Sequence, residues 1–142
     1  AGEGSIIEAL LDRECRVHCA DPTLMPQVLE TGAMLAELPE ADHVFLGAMQ
    51  NAEALLTISQ GSDLYPDGGA TVVLRASFEK GCKLSLTGPG IETRQCVSVA
   101  GLPDGFWKLR QELIRYPAGF DLFLVDGKRV LGIPRSTTVE EL

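Results

Sequence analysis

The chain has 142 residues, 45% of them apolar and 23% charged, with a formal net charge of −8. That length suits one domain burying roughly two thirds of its unfolded surface, with the composition of a soluble globular protein. The acidic balance argues against a nucleic-acid face, which needs clustered Lys and Arg, and more weakly against an anionic membrane surface. Ser5 caps a first short helix carrying Ile6, Ile7, Leu10 and Leu11, and Arg16–Cys19 alternates as a strand. Asp21 or Thr23 caps a second helix, over about Leu24 to Leu35, that puts Val28 and Leu29 on one side. His43–Leu46 is a compact buried strand, followed by a helix over about Asn51 to Ile58 and a dense loop signal from Gly61 to Gly69.

The second half is strand-rich. Thr71–Arg75 and Lys83–Leu86 are predicted strands joined by a hairpin-length connection, Phe78-Glu79-Lys80-Gly81. Gln95–Val99 alternates as a half-buried strand. Asp104 caps a helix bearing Trp107, Leu109, Leu113 and Ile114, which Tyr116-Pro117 ends. Asp121–Val125 and Val130–Ile133 flank Asp126-Gly127, a two-residue hairpin signal. Seven strands and four helices without repeats make the fold class α/β with a mixed central sheet.

Few residues advertise chemistry. Gly88-Pro89-Gly90-Ile91 leaves a strand and either presents backbone N–H groups to an anion or simply turns between antiparallel strands. Pro134-Arg135-Ser136-Thr137-Thr138 offers one guanidinium and three hydroxyls, able to grip a carboxylate or phosphate, to anchor the chain end, or to meet a neighbouring polypeptide. Gly88, Gly90, Arg135 and Thr137 are therefore the candidate ligand-binding residues. Trp107, Tyr116 and Arg135 are the candidate interface residues, with Trp107 equally suited to anchoring the core. His18 and His43 lie in strands and suit structural hydrogen bonding. The four cysteines, Cys15, Cys19, Cys82 and Cys96, lack zinc spacing and are expected as buried free thiols. No residue is assigned as catalytic or as a metal ligand.

The order of these motifs is more specific than any one of them. Tyr65-Pro66 precedes Gly69-Ala70-Thr71, then come Leu84-Ser85-Leu86-Thr87-Gly88-Pro89-Gly90-Ile91, Gly101-Leu102 and Phe106-Trp107. Pro117 with Gly119 and Asp121, Val125-Asp126-Gly127 and Pro134-Arg135-Ser136-Thr137 complete the series. From about Ile6 to Val139 the chain resembles the PhnH family, a component of the bacterial carbon–phosphorus lyase system for phosphonate use. Ala118 stands where the family usually has a basic residue, and Ser136 where it usually has Thr.

The resemblance implies one PhnH-like domain over residues 1–142, three-layered with helices on both faces, similar to the pyridoxal-phosphate-dependent transferases. It implies an additional N-terminal region that has no counterpart ahead of Ala1, and no cofactor, since Lys80, Lys83, Lys108 and Lys128 do not suggest a Schiff base. It further implies an accessory role in a cytoplasmic complex with the G, I and J subunits, as a homodimer that binds neither nucleic acid nor membrane. That complex would support transfer of an alkylphosphonate onto the ribose of ATP with loss of adenine. The alternatives are a phosphonate- or nucleotide-binding domain built on Gly88-Pro89-Gly90 and Arg135, and an enzyme using His18, His43 or a cysteine.

Overall fold

The computed structural model describes residues 2–49, 51–58, 69–115 and 118–141. The strands are β1 (Arg16–Cys19), β2 (Met34–Leu35), β3 (His43–Gly47), β4 (Thr71–Arg75), β5 (Ser77–Thr87), β6 (Gln95–Ala100), β7 (Asp121–Asp126), β8 (Arg129–Ile133) and β9 (Thr138–Glu141). The α-helices are α1 (Gly2–Leu10), α2 (Met25–Glu30) and α3 (Phe106–Leu113). A six-stranded sheet has the order β2-β1-β3-β4-β7-β8, and a three-stranded sheet the order β6-β5-β9. In the larger sheet every pairing is parallel except β7 with β8, so the expected mixed sheet is present.

Alternation along the central strands sorts their side chains to two faces. Phe45, Val73 and Val125 pack with Ile6, Ile7 and Leu11 of the α1 region and Val28 of α2. Val44, Val72, Leu74, Leu122 and Leu124 face the other way, against Leu55, Phe106 and Trp107 and against Leu84, Leu86 and Val139 of the smaller sheet. Each fully buried Phe, Leu or Val on these faces contributes about 1.5–3 kcal/mol relative to exposure. The second face is thus covered by one helix, a 3₁₀ segment and a second sheet.

Several local expectations change. The second helix is shorter than expected: it stops at Glu30, Gly32 adopts φ +79°, and Met34–Leu35 then pairs in parallel with β1. Ser5 lies inside α1, which starts at Gly2. Asp21 accepts from the backbone N–H and hydroxyl of Thr23, while Leu24 holds the N-cap position of α2 without a side-chain bond. Residues Ala52–Thr57 form a 3₁₀ helix, capped by the Asn51 side chain accepting from the N–H of Glu53. Gly105 rather than Asp104 holds the N-cap of α3, in the left-handed region.

The largest change concerns the connection after β4. Phe78–Gly81 is not a hairpin: β5 runs unbroken from Ser77, with a register irregularity between Phe78 and Cys82. The strands β4 and β5 belong to different sheets, with Ala76 alone between them. The chain end adds β9, antiparallel to β5, where no further strand was expected. The cysteines also differ, since Cys15 and Cys19 are half-buried and Cys96 is exposed on a strand at the sheet margin. Tyr65-Pro66 and Tyr116-Pro117 lie outside the described residues.

Candidate functional site

The Gly/Pro motifs meet at the end of the large sheet where β4 and β7 begin. Arg135 donates from its backbone N–H to Asp121 Oδ1 at 2.8 Å, from Nε to the same oxygen at 3.2 Å, and from Nη2 to Oδ2 at 3.1 Å. Its Nη2 also lies 3.4 Å from the carbonyl of Gly69. A side chain at Gly69 would collide with the Gly119 carbonyl and with the Arg135 guanidinium, so these two glycines let three motifs close together. Asp121 is held below the ordinary carboxylate range: burial pushes it up, and the hydrogen bonds and charge of Arg135 outweigh that.

Arg110 supports the same junction from α3. It is 3% exposed and donates from Nη1 and Nη2 to the carbonyl of Thr137 and from Nη2 to that of Pro134, at 3.1–3.2 Å. Burial pushes its guanidinium down to about 10, against an upward pull from Asp121. Thr137 is itself buried, its N–H donating to Pro134. Gly88, at φ +140°, packs so closely on this turn that a Cβ would sit 2.8 Å from the Ser136 carbonyl. Gly90 lies two residues out, with open space around it. The structure therefore brings Gly88, Arg135 and Thr137 together and leaves Gly90 at the rim. Trp107 is buried in the core against Phe106, edge to face with ring centroids 4.9 Å apart.

The opposite sheet end holds a second polar group. The strands β1 and β3 are neighbours whose onward connections run to opposite sides, the switch point outside whose carboxyl ends open α/β sheets bind ligands. Arg75, the last residue of β4, reaches across it. Its Nε donates to Glu3 Oε1 at 2.9 Å, and its other edge pairs with Asp21 Oδ2. Glu3 is buried in the first turn of α1, where the helix dipole favours a carboxylate. The chain's own carboxylates occupy this guanidinium. Sequence reasoning missed Arg75 and Glu3 and read Asp21 only as a cap; the one signal was a charge closing an otherwise apolar strand.

Both histidines take up places in the sheet. His18 Nδ1 lies 3.1 Å from the Ala36 carbonyl. His43 Nδ1 is buried without a hydrogen-bond partner among the described residues, and burial pushes its pKa down. Among the described residues no group of three His, Cys, Asp or Glu side chains is placed to hold a metal ion. None of their helices is long and apolar enough to cross a membrane.

The sequence that builds this corner matches known proteins. The family described as bacterial phosphonate metabolism protein (PhnH) matches residues 2–140. The chain belongs to the PhnH family. It is 37% identical over 139 residues to the putative C-P lyase subunit protein HtxG of Stutzerimonas stutzeri, covering 94% of this chain and 69% of that one. It is 36% identical over 84 residues to the alpha-D-ribose 1-methylphosphonate 5-triphosphate synthase subunit PhnH of Rhizobium meliloti (strain 1021), covering 56% of this chain and 41% of that one. In this PhnH-family chain Gly69, Gly88, Gly119, Asp121 and Pro134–Thr137, drawn from four of the ordered motifs, knit the two sheets and α3 together at one corner.

Proposed function

We propose that this chain is a subunit of a carbon–phosphorus lyase assembly and serves phosphonate breakdown by protein–protein contact. The match to the PhnH family from residue 2 to residue 140 carries this reading. Two relatives named as subunits of a C-P lyase and of a ribose methylphosphonate triphosphate synthase support it. The engagement of Arg135 by Asp121, of Arg110 by two carbonyls and of Arg75 by two carboxylates supports a scaffolding role, because these cations stabilise this chain's own fold. In this reading the partners are the G, I and J subunits, the chain also pairs with itself, and the complex works in the cytoplasm. It assists transfer of an alkylphosphonate to the ribose of ATP with release of adenine. Residues 1–142 form one domain with layers on both sheet faces, akin to the pyridoxal-phosphate-dependent transferases. Trp107 stiffens α3 beneath the contact surface, and Tyr116 and Arg135 contribute to it.

Co-expression with G-, I- and J-type subunits tests this reading. A tagged chain should retain them through size-exclusion chromatography, and retention of none of them removes the proposal. A second reading places a small phosphonate or nucleotide at Gly88, Gly90, Arg135 and Thr137. The packing of Gly88 on the turn that carries Arg135 and Thr137 favours it. Calorimetry with methylphosphonate and ATP should then give a binding heat that Arg135→Ala abolishes; no heat from the unaltered chain ends this alternative.

A further inference from the structure

A cleft of about 1020 Å³ lies between the two sheets, lined by Phe78, Lys83 and Val97 on one wall and Arg129, Val130 and Leu131 on the other. Its walls include one of the two edge strands of each sheet, β6 and β8. The β7–β8 ladder starts at a two-residue turn, with Asp126 opposite Arg129. Such a ladder alternates, so Arg129, Leu131 and Ile133 bond inward to β7, and Val130 and Gly132 direct their N–H and C=O groups outward. No strand pairs with that side of β8 among the described residues, and Val130 is 44% exposed. An open edge beside an apolar cleft is the geometry that accepts an added strand.

Charge narrows the choice of strand. The chain carries a net charge of −8, yet three of its four lysines belong to this region. Lys83 lines the cleft with Arg129, and Lys80 and Lys128 are the chain neighbours of the lining residues Glu79 and Arg129. The nearby carboxylates, Glu79 and Asp126, are both held by Arg129 at 3.0 Å. None of the three lysines makes a salt bridge among the described residues. A second copy would bring the same cations to the edge, and like charges oppose edge-to-edge pairing. An acidic strand meets complementary charge.

We propose that the cleft receives an extended, acidic segment of a partner protein of the assembly, added to the open edge of β8 as a further strand. Its apolar side chains rest on Phe78, Val97 and Leu131, and its carboxylates meet Lys80, Lys83 and Lys128. The proposal rests on the subunit reading above and assigns that reading a further surface, at the other end of β8 from Arg135.

The test is amide hydrogen exchange on the chain alone and in the co-expressed assembly with G-, I- and J-type subunits. The amides of Val130 and Gly132 should slow at least tenfold on assembly. The Lys83→Glu, Lys128→Glu double variant should capture the partners at least tenfold less well while keeping the melting temperature of the parent. If the assembly forms while both amides exchange as in the free chain, or if the double variant captures partners normally, the cleft proposal is overturned and the subunit reading stands. If the two amides slow with concentration in the isolated chain, a second copy is the occupant and the proposal is again wrong. If no assembly forms, the subunit reading falls and takes this proposal with it.

Discussion

Arg110 is the single side chain on which the corner most depends. It lies between α3 and the Pro134–Thr137 turn, and its fork satisfies two carbonyls that burial would otherwise strand. Losing such a group costs the desolvation of its partners as well as the bonds themselves. Arg110→Ala should therefore lower stability by about 3 kcal/mol in urea unfolding. Arg110→Lys should recover less than half of that, since a point charge does not span both carbonyls. A loss within a few tenths of a kcal/mol for the alanine variant would contradict the clamp. Asp121 gives a pH signature. Its folded-state carboxyl is held low by Arg135 despite burial, so the unfolded chain takes up the proton first as acid is added. The stabilisation is fully present above the unfolded value of about 4 and is lost as pH falls through the folded one. The melting temperature of Asp121→Asn should consequently fall less steeply than that of the parent between about pH 5 and pH 3. Parallel curves would refute this.

Among elements, the β5–β6 turn and the Pro134–Thr137 turn make a matched pair of tests. Gly88 and Gly90 both hold positive φ, at +140° and +85°, but only Gly88 has a neighbour in the way. Gly90→Ala should cost about 1–2 kcal/mol, the local backbone penalty alone. Gly88→Ala should cost more, because its Cβ also pushes on the Ser136 carbonyl and the approach to β9. Equal costs would show that the two turns move independently. How far such elements were legible in the chain depends on how local their signals are. The strands β1, β3, β4, β6, β7 and β8 lie where alternation, apolar runs and turn residues predict them. By contrast β9, Thr-Val-Glu-Glu, has one apolar residue and exists because Val139 falls opposite Leu86, some fifty positions away. The motif corner was legible as a set of residues and not as a place. Arg135 declared a grip on a carboxylate, but Asp121 as the one gripped follows only from β7 and β8 lying side by side. The Arg75–Glu3 pair spans 72 positions and depends on α1 folding over the sheet end, which no local pattern encodes.

Across the whole molecule, the two faces of the large sheet are separate cores, linked through the strands themselves. Arg75 holds α1 and the β1–α2 connection from one face through Glu3 and Asp21. Arg75→Met should speed amide exchange in α1 while leaving α3, which packs in the other core, at its original rate. Faster exchange in both would mean that the faces unfold as one unit. The single residue Ala76 has a comparable reach. It joins a strand at the centre of one sheet to the middle strand of the other, with its N–H donating to Val125 at 3.0 Å. No loop separates them, so a displacement of the first residues of β5 is passed directly to β4 at the centre of the larger sheet. The irregularity between Phe78 and Cys82, by contrast, lets the far part of β5 bend on its own.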